Sequence, residues 1–255
     1  MSSFAVQTNP DSVVGIVVKI CIFPGAHRGF GTLPDRSVFC LLPWVQHMAN
    51  LRLLQEQKSY TFRSYLEFNA EPEEILAELG YQLLTQRLTL PTLPEPLAWA
   101  DELQERLERS LKLVSLTSEA ARREVLVAPI LLEIAHHCCA QIRIEYPLTV
   151  SDWLKGTLDY LIRMPEDPHN LVVVEAKRED LTRGFTQLAT ELIALATAQE
   201  TEVVYGAVTL GDVWRFGRLD ARSHVIVQDI ALFRVPDDLG ALLRVLSGIL
   251  QGAVV

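Results

Sequence analysis

The segment LVVVEAK, residues 171–177, is an apolar run that is followed by two charged side chains, Glu175 and Lys177. Alternate residues of a strand lie on one face, so these two side chains point the same way and Ala176 points the other way. Ionisable groups at the end of a buried strand are costly unless something pairs with them. Two interpretations follow: a salt bridge just past the strand, or a site that needs charge there.

A second carboxylate comes from the preceding strand pattern, KGTLDYLIRM, which contains Asp159. The turn-forming cluster PEDPHN separates the two patterns, so they are expected to pair as antiparallel neighbours and to bring Asp159 near Glu175. Two converging carboxylates repel each other unless a cation lies between them, and hard oxygen ligands suit Mg²⁺ or Mn²⁺. The Lys177 ammonium beside them would orient a water or offset charge that develops on a phosphate.

This order of residues resembles the PD-(D/E)xK nuclease superfamily, which has the restriction-endonuclease-like fold. The acidic position of its motif matches Asp159, and its ExK matches Glu175, Ala176 and Lys177. Leu158 stands where the motif name has proline, and this makes the match less specific.

Two further segments carry the resemblance. SEAARREVLVAPILLEIA looks like the first helix of the family, most closely as in the N-terminal nuclease domain of type I restriction motor subunits. There, a Glu-x-x-x-Arg precedes an apolar segment, similar to Glu119, Arg123 and the PILL that begins at Pro129. Gln187 fits a glutamine found on the next helix in part of the superfamily. The resemblance covers roughly residues 115–235.

The resemblance implies Mg²⁺-dependent hydrolysis of DNA phosphodiester bonds, with Mn²⁺ as a substitute. The implied metal ligands are Asp159, Glu175, the Ala176 carbonyl and Glu119, and the implied catalytic residues are Glu119, Asp159, Glu175, Lys177 and Gln187. Lys177 would orient the attacking water or stabilise the pentacovalent charge. Arg123 has two interpretations, a phosphate contact or a partner for a carboxylate. Glu124, five residues after Glu119, faces another direction and is expected in solvent.

Other functions use the same fold. RNA would fit the same site as DNA. A catalytically inactive nuclease fold, acting as a nucleic-acid-binding or assembly subunit, is the alternative to an enzyme. The amphipathic helix at 97–114 and the C-terminal helix would then be partner surfaces, and either would permit a homodimer. The chain has no GxxxxGK[ST] phosphate loop, so we expect no ATP-driven motor.

The periodicities predict an α/β protein with a mixed central sheet flanked by helices. Residues 115–255 form the nuclease-like domain, 48–114 an appended helical region in which 59–68 is extended, and 1–47 a poorly ordered extension with Met48 as a possible start. The net charge of −9 argues against a general polyanion binder. Four cysteines without CxxC spacing, no leader pattern and no membrane-length apolar run favour the cytoplasm and no membrane contact.

Overall fold

A computed structural model describes residues 53–167, 171–177 and 180–253 of the chain. The extension predicted for 1–47 and the proposed start at Met48 lie outside the described residues. Six α-helices occur in these ranges, with a 3₁₀ segment at Phe62–Leu66 and a π turn at Arg123–Val127. The helices are α1 Pro72–Glu78, α2 Ala100–Leu111, α3 Glu119–Arg122, α4 Ala128–Cys138, α5 Leu181–Gln199 and α6 Leu239–Leu250.

Eight strands of the described chain form one mixed sheet. They are β1 Gln82–Gln86, β2 Gln141–Thr149, β3 Lys155–Arg163, β4 Leu171–Ala176, β5 Val203–Thr209, β6 Val213–Asp220, β7 Val225–Asp229 and β8 Phe233–Arg234. The order across the sheet is β1-β7-β6-β5-β4-β3-β2, and β8 pairs with β6. The α/β prediction with a mixed, helix-flanked sheet is therefore confirmed.

The strands that carry the charged residues pair as their sequence spacing predicts. β2, β3 and β4 form an antiparallel meander, β4 runs parallel to β5, and β5 and β6 form a hairpin. β4 lies between β3 and β5, which explains its run of β-branched residues. The end of β4 is thus held rigidly on both sides.

Two helical layers cover the sheet. On one face, α2, α4 and α6 pack over the sheet in a core that includes Ile130, Trp214 and Leu246. On the other face, α1, α5 and the 3₁₀ segment pack in a core that includes Phe62 and Phe185. Both layers are needed to bury the two faces of a sheet with apolar residues on each side.

The helix before the β2–β4 meander is interrupted by a π turn just ahead of its proline. α3 passes through the π turn into α4, in which Pro129 is the second residue. Proline has no N–H to donate to the preceding turn, and a widened π turn accommodates the missing hydrogen bond.

The region 48–114, predicted as an addition, shares the sheet with the rest of the chain. β1 pairs in parallel with β7 at one sheet edge. Its sequence QLLTQ has only two apolar residues, too few to show a strand period, so sequence analysis missed it. Residues 59–68 were predicted as extended, and this was wrong for Phe62–Leu66. Thr61 and Ser64 bond to each other across the first 3₁₀ turn, the Thr61 N–H to Ser64 Oγ at 3.0 Å.

Both helices suggested as partner surfaces bury most of their apolar residues within this chain. In α6, nine of the twelve residues are buried, and in α2 Leu103 and Leu107 lie in the same core. The helix predicted at 97–114 spans only Ala100–Leu111, and Leu113 beyond its end is exposed. A homodimer through either helix stays a prediction. In the part of the chain that the structure describes, no helix combines the length and apolarity needed to cross a bilayer.

Two glycines of α6 form a matched test of this packing. A Cβ added to Gly248 would lie 2.5 Å from the Pro91 carbonyl oxygen, whereas one added to Gly240 meets no described atom within 4 Å. We expect Gly248→Ala to lower the free energy of unfolding by about 1–3 kcal/mol. Gly240→Ala should raise it by about 0.4–1 kcal/mol through lost unfolded-state entropy. Urea unfolding measures both, and a Gly248→Ala protein as stable as wild type would contradict the contact between α6 and Pro91.

Candidate active site

A cleft of about 620 Å³ opens at the end of β4. The five residues predicted to be catalytic all line it: Glu119, Asp159, Glu175, Lys177 and Gln187. They come from α3, β3, β4 with the residue after it, and α5, so segments separated by up to 68 positions in sequence meet at one place. The cleft therefore brings together all five residues that the sequence analysis singled out.

The carboxylate of Asp159 is fixed by the neighbouring strand. The register pairs Tyr160 with Val174, and the Ala176 N–H donates to Asp159 Oδ2 at 2.9 Å. Asp159 thus lies beside the strand end that carries Glu175, as predicted from the antiparallel pairing. The Ala176 side chain is buried in the core of the opposite face.

Glu175 is the centre of a buried hydrogen-bond network. Its side chain is 1% exposed, and Lys177 Nζ lies 2.5 Å from Oε1. Gln187 Nε2 donates to the same oxygen at 2.7 Å, and Lys177 Nζ donates to Gln187 Oε1 at 2.8 Å. The three side chains form a closed triangle, so Gln187 holds both charged groups in place.

Sequence analysis missed Glu191, which extends this network one helical turn along α5. It is fully buried, and its Oε1 accepts a second hydrogen bond from Gln187 Nε2 at 2.8 Å. The signal was present in the sequence: Glu191 is the only charged residue between Gly184 and Gln199, four positions after Gln187. A lone carboxylate in such an apolar helix indicates a buried polar partner.

Burial controls the protonation of these two carboxyl groups. Desolvation, with the nearby Asp159 charge second, raises the pKa of Glu175 to about 7, although the Lys177 ammonium acts in the opposite direction. Desolvation and the Glu175 charge raise the pKa of Glu191 well above its ordinary value. A site that holds carboxylates this deep favours a bound cation, because a cation offsets the cost of their charge.

Arg123 is a partner for carboxylates in this structure. Its Nη1 lies 3.8 Å from Asp159 Oδ1 and 3.7 Å from Glu145 Oε1, and its guanidinium stacks over the Tyr160 ring at 5.2 Å. Of the two interpretations of Arg123, the geometry favours the carboxylate partner. Glu145 itself was not predicted, since it lies at an irregular position of β2 with a φ of 51°.

Glu119 reaches the cleft from the first turn of α3. Ser118 caps that helix: its Oγ accepts a hydrogen bond from the Ala121 N–H at 3.1 Å. This cap fixes the position of Glu119 in the first turn. Glu124 is exposed, as predicted. Across residues 53–167, 171–177 and 180–253, no three His, Cys, Asp or Glu side chains converge closely enough to hold a metal ion. Glu119 therefore lines the cleft together with Asp159 and Glu175, but the three carboxylates do not converge on one point.

Buried carboxylate oxygens without donors favour a cation at the two strand carboxylates. Glu175 Oε2 and Glu191 Oε2 are buried and accept no hydrogen bond from a described N–H or O–H donor, although Glu175 Oε1 has two partners. A buried carboxylate oxygen without a donor is unfavourable unless a cation occupies its lone pairs or the neighbouring carboxyl groups share a proton. Asp159 and Glu175 fit Mg²⁺ or Mn²⁺ in charge and in oxygen chemistry. The Ala176 carbonyl and Glu119 stay predicted as further ligands.

The chain matches no protein-family model and no curated protein sequence.

The two glutamates of the α3 region provide a matched pair of variants. We expect Glu119→Gln to weaken Mn²⁺ binding about ten-fold, because Glu119 adds negative charge to the cleft beside the two strand carboxylates. Glu124→Gln removes the same charge from an exposed position and should leave the affinity unchanged. Isothermal titration with Mn²⁺ measures both, and equal effects of the two substitutions would show that Glu119 acts only through net charge.

Proposed function

We propose that this protein is a metal-dependent nuclease of the restriction-endonuclease-like fold that hydrolyses phosphodiester bonds of DNA. The observation that carries the proposal is the cleft in which Asp159 and Glu175, on adjacent strands, lie beside a lysine ammonium held by Gln187. Mg²⁺ is the proposed metal, and Mn²⁺ should substitute for it.

The order of elements supports the proposed fold family. A helix precedes the antiparallel β2–β4 meander, α5 follows β4, and β5 then pairs in parallel with β4. The sequence patterns predicted this order of a helix, three strands and a second helix. The two carboxylates lie in the middle strand and near the end of the last strand of that meander, which is compatible with the proposed motif.

The charge of the cleft supports a requirement for divalent cations. Its lining carries five carboxyl groups and three cationic groups: Glu119, Glu145, Asp159, Glu175 and Asp180 against Arg63, Lys177 and Arg183. A phosphodiester entering such a cleft meets net repulsion unless a cation neutralises part of it. The acidic net charge of the chain, which argues against a sequence-blind polyanion binder, is compatible with a metal-dependent one.

Each side chain of the site has a separate role in the proposed reaction. Asp159 and Glu175 would hold Mg²⁺, which supplies Lewis acidity and lowers the pKa of a coordinated water. Lys177 would donate a hydrogen bond to the attacking water or to a phosphate oxygen, and Gln187 keeps its Nζ at the reacting position. The attacking water gives up a proton to solvent as its oxygen bonds to phosphorus, the bond from phosphorus to the leaving sugar oxygen breaks, and that oxygen takes a proton from solvent.

The inactive binding or assembly subunit is the second candidate, and one observation favours it. Asp159 is already engaged by the Ala176 N–H and lies near Arg123, and Glu175 Oε1 is engaged by Lys177 and Gln187. Charged groups that are mostly paired with one another need no metal, so such a site could be kept in a nuclease fold that has lost its catalytic activity.

Cleavage assays separate the two candidates. The full chain is incubated with supercoiled plasmid, circular single-stranded DNA and a matched RNA, in Mg²⁺, in Mn²⁺ and in EDTA. The proposal requires cutting of DNA that depends on the metal and stops in EDTA. A folded protein that cuts none of these substrates under any metal condition would leave the binding subunit as the better function.

A further inference from the structure

We propose that the cleft takes a single nucleic-acid strand, so that single-stranded DNA, or the unpaired arm of a duplex, is cut in preference to an intact duplex. This inference rests on the proposed function and adds the strand state of its substrate.

The reacting groups lie at the bottom of the cleft. The side chains of Glu175, Lys177 and Asp159 are 1%, 16% and 19% exposed. A phosphodiester must enter the recess to reach them. An intact duplex, with a persistence length of about 500 Å, resists the local bending that would push one short stretch of backbone inward. A single strand bends freely at each nucleotide.

One wall of the cleft is the 3₁₀ segment, and it is firmly docked. Phe62 is 1% exposed, and a Cβ added to Gly156 would lie 2.7 Å from Phe62 Cδ2, so the absence of a side chain at Gly156 permits this close contact. The Tyr65 hydroxyl donates to the Trp153 carbonyl at 2.6 Å. Thr61, Phe62 and Leu66 of the segment line the cleft. A duplex could not displace this wall without opening a packed core.

The cleft receives side chains from both helical layers. The 3₁₀ segment and α5 belong to the layer on one face of the sheet, whereas α3 leads into α4 in the layer on the other face. Glu119 at the start of α3 and Gln187 of α5 line the same cleft. The resulting space of about 620 Å³ lies within the range of about 300–1,000 Å³ that is typical of small-molecule pockets. It suits a short piece of one strand.

Two arginines of the lining are placed to contact that strand. Arg63, in the 3₁₀ segment, and Arg183, in the first turn of α5, are both exposed and both line the cleft. Arg183 lies 3.7 Å from Asp180 and remains 66% exposed. Guanidinium groups bind phosphate oxygens through charge-assisted hydrogen bonds, which position a strand without reading its sequence. We assign them to the phosphates that flank the scissile one.

The test compares three forms of one sequence: a single strand, a blunt duplex, and a fork with unpaired arms. Initial cleavage rates are measured in Mn²⁺. Because unpairing and unstacking a nucleotide costs a few kcal/mol, we expect the single strand and the fork arms to be cut at least about ten times faster than the duplex. A duplex cut as fast as the single strand would overturn the inference and leave the proposed function intact. Absence of cutting in all three would overturn both.

A pair of variants tests the wall itself. Arg63→Ala should raise the KM for the single strand about ten-fold with little change in kcat, since it removes a charged hydrogen bond to a non-reacting phosphate. Arg87→Ala removes the same group from an exposed position just after β1, outside the cleft lining, and serves as the control. Equal KM values for the two variants would show that the strand does not pass the 3₁₀ segment, and would overturn the proposed path.

Discussion

Lys177→Ala is expected to lower the rate of metal-dependent cleavage by about a hundred- to a thousand-fold. The reason is geometric: Lys177 Nζ lies in the cleft, held at 2.8 Å from Gln187 Oε1 and 2.5 Å from Glu175 Oε1. An ammonium fixed in this way needs no reorganisation as charge develops on the phosphate, which is why its loss should act on kcat more than on KM.

Lys177→Ala should also lower the stability of the protein, so stability must be measured together with the cleavage rate. Without Lys177, the buried Glu175 Oε1 keeps only Gln187 as a described hydrogen-bond donor, and Oε2 has no described N–H or O–H donor. We expect a loss of about 1–3 kcal/mol in the free energy of unfolding, which circular dichroism and a thermal melt would detect. Lys112→Ala, at an exposed position after α2, is the control and should change neither rate nor stability.

The outcomes separate chemistry from folding. A folded Lys177→Ala protein that has lost cleavage supports the catalytic role of the lysine. Cleavage that survives in the variant would mean that another group performs this step, or that a contaminant cuts. Loss of the folded state would leave the rate uninformative, and Lys177→Met, which keeps the length of the side chain, would then replace it.

The part of the site that sequence could predict is the part made by local geometry. β3 and β4 are joined by a short connection, so their antiparallel pairing and the meeting of Asp159 with Glu175 follow from the strand period of two and the turn residues. Gln187 was predicted from resemblance alone, and its place in the cleft depends on α5 beginning where Asp180 caps it. The Asp180 carboxylate accepts from the Thr182 and Arg183 N–H groups.

Other parts of the site depend on contacts that no local pattern encodes. The 3₁₀ segment reaches the cleft because Phe62 packs on Gly156, 94 positions later. Glu145, which lines the cleft, is itself the left-handed residue of β2, and Arg123, the first residue of the π turn, lies 3.7 Å from its carboxylate. Each of these is decided by tertiary packing, which overrides the weak local propensities of the segments involved.

Glu119 shows the limit of resemblance. Its spacing to Pro129 placed it in the cleft, where the structure has it. The same resemblance implied that it completes the metal site, and this stays a prediction, since among the described residues no three acidic, histidine or cysteine side chains converge. The strand carboxylates therefore have to provide most of any affinity for metal, and Asp159 is the more accessible of the two.

Asp159→Asn is expected to weaken Mn²⁺ binding by at least about a hundred-fold. The asparagine Oδ1 can still accept the Ala176 N–H that Asp159 Oδ2 accepts at 2.9 Å, so the strand pairing should persist while the charge is lost. Isothermal titration with Mn²⁺ measures the affinity directly and does not depend on cleavage. Asp101→Asn, an exposed residue in the first turn of α2, removes the same charge away from the cleft and should leave the affinity unchanged.

Two results would contradict this expectation, and they mean different things. Undiminished binding in Asp159→Asn would place the metal away from β3, so the buried and unpaired Glu175 Oε2 would need another explanation. No binding by the unmodified protein would mean that Lys177 and Arg123 already neutralise the carboxylates, as their distances of 2.5 Å from Glu175 Oε1 and 3.8 Å from Asp159 Oδ1 allow. The charged side chains of the cleft would then pair with one another and leave no place for a metal. The binding or assembly subunit would become the better function.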